Sequence, residues 1–178
     1  MTTPNVEGTV LTLDSSSAYF QQAFRLMGGQ GMSKAFVIEK SAPHALNVVG
    51  EQITVLASGD QTGSYEVFHQ AGPEGSGPPP HNHPWDEAFY VTRGEVAFGV
   101  GEQEAVARPG TFVHVPAGTT HWFRFGVGGG EMVSVTSSAG AAKMFADFDR
   151  EIAPDKPDLA KLVEVAGRHG AKIGVPWG

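Results

Sequence analysis

From Gln52 to Val135 the chain is a succession of short apolar runs, each ended by turn-forming residues, and this rhythm restricts the fold more than any other feature. The runs occupy residues 53–56, 64–68, 88–91, 96–100, 111–115, 122–125 and 132–135. Between them stand Gly59-Asp60, Gly72-Pro73, Arg93-Gly94, Pro109-Gly110, Pro116-Ala117-Gly118 and the glycine-rich stretch 126–130. Segments this short, spaced so regularly by turns, are strands, and they build a sandwich or a small barrel. The 24 glycines and 12 prolines suit that reading and would be high for a helical protein.

The flanks have a different period. Residues 1–45 read as an extension in which serines at 15–17 cap a helix bearing Phe20, Ala23, Phe24 and Met27, stopped by Gly28-Gly29, with a short strand at 35–39. After the strands, Ala141, Met144, Phe145 and Phe148 fall at i, i+3, i+4 and i+7, which predicts an amphipathic helix over one face. Pro154 and Pro157 break it, and Asp158 caps a second helix with Leu159, Leu162, Val163 and Ala166 inward. The expected organisation is an N-terminal extension (1–45), a β domain (46–138) and a C-terminal helical segment (139–178), all one domain's worth of chain.

Composition removes several classes of function. The chain has no cysteine, so thiolate metal sites, iron–sulfur clusters and a cysteine nucleophile are excluded. A net charge of -7 without a Lys/Arg run argues against nucleic acid as a partner. Thr2, Thr3 and Pro4 do not form the basic start of a secretory leader, and no apolar stretch reaches the length of a membrane span. The expectation is a cytoplasmic protein without a membrane partner.

Four side chains carry the chemistry. His81 and His83 are two apart, so along an extended strand both imidazoles leave one face, and Glu87 keeps that parity four residues later. His121 follows a Pro-x-Gly turn and arrives from a neighbouring strand. Three imidazoles and one carboxylate suit a divalent transition ion: Fe, Mn, Ni, Co, Cu or Zn. Four ligands on an octahedral ion leave two positions open, which marks a working metal rather than a structural one. Glu87 has two readings, a ligand only or a carboxylate base that also takes a proton from a bound hydroxyl.

Two segments resemble the cupin superfamily. The first family motif, Gly-x5-His-x-His-x3,4-Glu-x6-Gly, is matched by Gly75, His81, His83, Glu87 and Gly94. The second, Gly-x5-Pro-x-Gly-x2-His-x3-Asn, is matched by Gly110, Pro116, Gly118 and His121, with Phe125 where the family has Asn. This resemblance implies an all-β fold, a jelly-roll β-barrel with a metal held by His81, His83, Glu87 and His121. Residues 53–68, with Trp85 to Tyr90, look like single-domain (monocupin) quercetin dioxygenase-like proteins.

By strand parity His121, Phe123 and Phe125 point inward together, and Phe89 lines up behind Glu87. An aromatic-walled substrate pocket made by His69, Phe89, Phe123 and Phe125 is therefore expected beside the metal, although phenylalanines inside a barrel also serve simply as core. The function expected is that of a metal-dependent, dioxygenase-like oxidoreductase acting on a small enolic or phenolic aromatic substrate. Its alternatives are a non-redox cyclase, isomerase or lyase, and a small-molecule-binding barrel without catalysis. A homodimer is expected from apolar surface on the N-terminal strand and the phenylalanine-bearing helix.

Overall fold

The computed structural model describes residues 35–38, 44–137 and 140–174. The helix expected between residues 15 and 28 lies outside them. Residues 35–38 are exposed and unpaired among the described residues, so the strand expected there is not formed: its apolar side chains find no ladder to join.

The order of elements is β1 (Ala45–Val48), β2 (Glu51–Ala57), α1 (Gly59–Thr62), β3 (Tyr65–Gly72), β4 (His81–Asn82), β5 (Glu87–Arg93), β6 (Val96–Val100), β7 (Gln103–Ala107), β8 (Phe112–Val115), β9 (His121–Phe125), β10 (Gly130–Ser137), α2 (Ala141–Glu151), α3 (Leu159–Arg168) and β11 (Lys172–Ile173). They form two antiparallel sheets, one ordered β1-β2-β3-β10-β5-β8 and the other β11-β4-β9-β6-β7. The fold is a jelly roll. Neighbours such as β3 and β10, far apart in sequence, are what its long crossovers produce.

Alternation along the strands decides what lies inside. On β5 Glu87, Phe89 and Val91 are buried, on β9 His121, Phe123 and Phe125, and on β10 Met132, Ser134 and Thr136. The far end of the barrel is a dry core of Phe89, Phe98, Phe123, Phe125, Met132 and neighbouring valines. Turn chemistry holds the hairpins in register. Gly94 has φ of 75°, and a Cβ there would stand 2.3 Å from the Gly129 carbonyl oxygen, so no other residue fits.

The near end is closed differently. A second apolar cluster joins Ile53 and Phe68 of the larger sheet to Met144, Phe148, Val165 and Ala166 of the two C-terminal helices. Fully burying a side chain such as Met144 or Phe148 contributes about 1.5–3 kcal/mol. Phe145 packs edge-on against Phe68, with ring centroids 5.1 Å apart. The apolar side of α2 thus faces the larger sheet and the other C-terminal helix within the chain.

Asp158 caps α3 as expected, accepting from the Ala160 and Lys161 backbone N–H groups. The inward set of α3 differs from the expected one. Val165 and Ala166 are buried, while Leu159 and Val163 are 55% and 52% exposed at the rim of the cavity below. The tail then does something a helical segment does not: Lys172–Ile173 pairs with β4 and extends the smaller sheet. No helix among the described residues is long and apolar enough to cross a membrane.

One buried side chain ties the helices to the barrel. The Glu66 carboxyl, on β3, accepts from the backbone N–H groups of Gly59, Gly140 and Ala142 and from the Thr136 hydroxyl. Two of those N–H groups open α2, where the helix leaves its own donors unpaired. Replacing Glu66 by Ala strands these donors out of reach of water. The expected cost is about 3 kcal/mol, read as a fall in Tm of about 10 °C. Val106→Ala, on the exposed face of β7, should leave Tm within about 2 °C by the same calorimetry.

Candidate metal centre

His81 on β4 and His121 on β9 are direct register partners, so the sheet itself sets their rings side by side, centroids 4.2 Å apart. His83 lies just past β4, where the chain leaves the smaller sheet and crosses through Pro84, Trp85 and Asp86 to begin β5 in the larger one. The parity reading that put His81, His83 and Glu87 on one extended strand needs this correction. The histidines belong to one sheet and its edge, and Glu87 faces them from the other. A barrel interior lets opposed walls supply ligands that a single strand could not bring together.

The crossing is clamped to the second motif. Gly118, with φ of 77°, donates its N–H to the His83 carbonyl. Ala117 N–H donates to Asp86 Oδ1, and Asp86 in turn bonds both the backbone N–H and the hydroxyl of Ser137. Trp85 is buried and stacks on His83 at 4.6 Å with planes 9° apart. It therefore packs against the site rather than edging a mouth. These contacts fix the ring of His83 from behind.

All three imidazoles are oriented by the same device. Nδ1 of His81 donates to the Pro79 carbonyl, Nδ1 of His83 to Trp85, and Nδ1 of His121 to Thr119, at 2.9, 2.9 and 3.0 Å. A carbonyl can only accept, so each Nδ1 carries the proton and each Nε2 is the nitrogen left for a ligand role. The three ligand nitrogens lie within 4.8 Å of one another. Glu87 stands at the edge of this group, its Oε2 at 2.8 Å from His83 Nε2 and 3.5 Å from His121 Nε2. Two ligands about 2.1 Å from one cation and at right angles to each other are about 3.0 Å apart, and these two separations bracket that value. His121 Nε2 is buried without a hydrogen bond, aimed at the centre. That is a fit to a metal, not to a packed core.

The electrostatics agree. Burial alone would raise the Glu87 carboxyl, but the approach of His121 and His83 outweighs it and brings its pKa down to about 2. Burial, then the neighbouring His121, lowers His81 to about 3, leaving it an unprotonated donor at neutral pH. The centre opens onto a cavity of about 400 Å³ whose wall is largely apolar. Met144, Phe145, Phe148 and Leu162 of the helices form its roof, and Phe123, Trp85 and Ile53 its sides.

The expected pocket residues fare unevenly. Phe123 lines the cavity. Phe89 and Phe125 do not; they sit deeper, in the dry core beneath the histidines. His69 is excluded by parity. Glu66, Phe68 and Gln70 take the inner face of β3, so His69 points outward, 38% exposed, and pairs with Glu131 at 3.3 Å. Reasoning from sequence missed two cavity residues, Glu51 and Gln70. They share phase with Ile53 and Phe68, and that alternation was the available signal. Glu51 is buried, and burial first, then the charge of Glu87, raises its carboxyl to about 8.

Two outcomes follow from this geometry. Replacing His121 by Ala should drop bound metal far below one equivalent in elemental analysis, and full retention would refute the ligand set. A carboxyl raised in the folded state contributes stability that is complete below its unfolded value of 4.5 and lost as pH rises through about 8. Chemical denaturation at pH 5 and pH 9 should therefore show wild type losing more stability than Glu51→Gln, by on the order of a few kcal/mol. The other titratable or charged groups lining the cavity, His81, His83, Glu87 and the rim Arg124, are present in both proteins, and the repulsion between Glu51 and Glu87 is part of the difference read.

The family comparison falls on the same residues. The family profile described as "Cupin domain" matches residues 68–135. A stretch of 92 residues, 50% of this chain, is 33% identical to quercetin 2,3-dioxygenase of Bacillus subtilis strain 168, and it spans only 27% of that protein's length. Among solved structures, an RmlC-like cupin from Shewanella frigidimarina aligns with a TM-score of 0.54 and 18% identity, covering 60% of this chain and 93% of that one. The polyketide cyclase RemF from Streptomyces resistomycificus aligns at 0.52 and 17%, covering 58% and 80%. At such identities the structural likeness speaks for the fold alone. With both sequence motifs, the family match and the two-sheet jelly roll in agreement, residues 68–135 form a cupin domain.

Proposed function

We propose that the chain is a metal-dependent oxidoreductase of the quercetin dioxygenase type, acting on a small enolic or phenolic aromatic molecule. One observation carries this reading: three Nε2 atoms and one carboxylate converge at one end of a largely apolar cavity of about 400 Å³. That volume suits a ring system of drug-like size, and the apolar wall suits a flat aromatic one. The partial likeness to the Bacillus subtilis enzyme supports the same class.

His81, His83 and His121, with Glu87, would hold one divalent transition ion. The ion would supply Lewis acidity toward an enol or phenol oxygen and, if redox-active, an electron path to dioxygen. The chain's own part is then legible. The roof of α2 and α3 keeps water off the ring, and Phe123 and Trp85 orient its plane. Glu87 Oε2, 2.8 Å from His83 Nε2, is placed to take the proton of a hydroxyl brought to the histidines, and its low pKa keeps it in the accepting form.

A second reading has its own observation. Glu51 and Glu87 line one cavity with proton affinities pushed apart, to about 8 and about 2. Paired carboxyls of that kind suit acid–base chemistry without oxygen, such as cyclisation, isomerisation or elimination. Incubation with flavonols under air and under nitrogen separates the two. Conversion confined to air supports the dioxygenase reading, equal conversion under nitrogen supports the second, and tight binding without turnover would leave a binding protein. Glu87→Gln should retain metal better than the histidine variants while losing at least about tenfold in turnover. Unchanged turnover would remove the base role.

A further inference from the structure

Glu51 and Gln70 have no part in the metal centre, yet both line the same cavity. They are deeply buried, 6% and 2% exposed, and each ends in an oxygen without a partner: Glu51 Oε2 and Gln70 Oε1. An unpaired buried oxygen costs about 1–3 kcal/mol, and a chain that retains two in one cavity retains them against that cost. Gln70 Nε2 donates to the Ser134 hydroxyl at 2.8 Å, and the carbonyl oxygen is the end of the amide left without a partner. That oxygen is an unpaired acceptor on a side chain that lines the cavity. Ser134 lies on β10 opposite Phe89, one strand from Glu87, so a row of polar groups crosses the inner face of the larger sheet toward the centre.

We propose that Glu51 and Gln70 form a second recognition point in the cavity, one that receives an uncharged hydroxyl group on a substrate whose other end reaches the histidines. The proposal rests on the reading of this cavity as the substrate site. A hydroxyl both donates and accepts, so it can donate to Gln70 Oε1 while accepting from the Glu51 carboxyl. A carboxylate cannot donate to Gln70 and would meet Glu51 with no cationic side chain beside it; Arg124, the one Lys or Arg lining the cavity among the described residues, is exposed at the rim. The protonated form that burial favours for Glu51 supplies the donor. These are positioning residues: they select and orient, and the reacting atoms lie at the other end.

The test uses three small probes of similar shape on the full-length, metal-loaded protein: phenol, anisole and toluene. Phenol donates and accepts, anisole only accepts, and toluene does neither. Binding is followed by calorimetric titration. Wild type should prefer phenol to toluene by about fivefold or more, the size of one net hydrogen bond, with anisole between them. Gln70→Leu and Glu51→Leu should each erase the preference, and Glu51→Gln, whose amide still donates, should keep most of it. His121→Ala, which weakens metal binding, should leave the preference in place; its loss there would assign phenol to the metal and overturn the proposal. Two further results would overturn it: equal binding of the three probes by wild type, as when a resident water keeps the two oxygens, and an unchanged preference in both leucine variants.

Stability gives a second readout that needs no ligand. A carboxyl kept for recognition is a liability to the fold, so Glu51→Leu should hold or raise Tm; a fall of several degrees would assign Glu51 a structural partner instead. The proposal and the dioxygenase reading fail separately. Phenol discrimination without flavonol conversion would keep the recognition point and reject the activity, and flavonol conversion without discrimination would do the reverse.

Discussion

Three hydrogen bonds set the character of this molecule: those by which His81, His83 and His121 each give Nδ1–H to a backbone carbonyl two residues away. Two of those carbonyls, on Pro79 and Thr119, precede their histidine, and the third, on Trp85, follows it. In every case the effect is the same. The ring cannot turn over without breaking that hydrogen bond, and its free nitrogen is committed to the barrel interior. A buried imidazole facing other imidazoles is unfavourable unless something shares them, which is why the arrangement reads as a metal centre and not as packing.

The fold serves that constraint from two sides. The register of β4 against β9 sets two of the rings adjacent, and the clamp from Gly118 and Ala117 onto His83 and Asp86 holds the third. Glu87 comes from the opposite sheet, between its ladder partners Val115 on β8 and Thr136 on β10. Below the centre the core is dry and aromatic; above it, two helices roof a cavity and are fastened to the barrel by the carboxyl of Glu66. The centre thus sits where packing changes from solid to open, and that is where a substrate can reach it.

Much of this was legible in the sequence, for identifiable reasons. The clustering of His81, His83 and His121 beside Glu87 was readable because fixed spacing and turn residues, Gly94, Pro116 and Gly118 among them, are local features that survive without coordinates. The period of α2 and the Asp158 cap of α3 were readable for the same reason. Strand β7 was not, since Gln103 to Val106 are exposed and show no apolar alternation, and their pairing with β6 is what makes them a strand. Strand β11 is two residues long and exists only through β4. His69 was misplaced because a histidine near a metal motif is suggestive, whereas the parity of β3 sends it outward. Glu51 and Gln70 belong to no motif, and only the closure of the larger sheet brings them to one cavity.

The central claim is that one cation is shared by three imidazoles, through Nε2, and by one carboxylate. X-ray absorption on the protein loaded with one equivalent of cobalt(II) tests it directly, because imidazole rings give a countable multiple-scattering signature. The account expects one tightly bound ion with three imidazole nitrogens and oxygen donors completing the shell. A signature of one imidazole or none, or an ion that fails to bind at one equivalent, would contradict it.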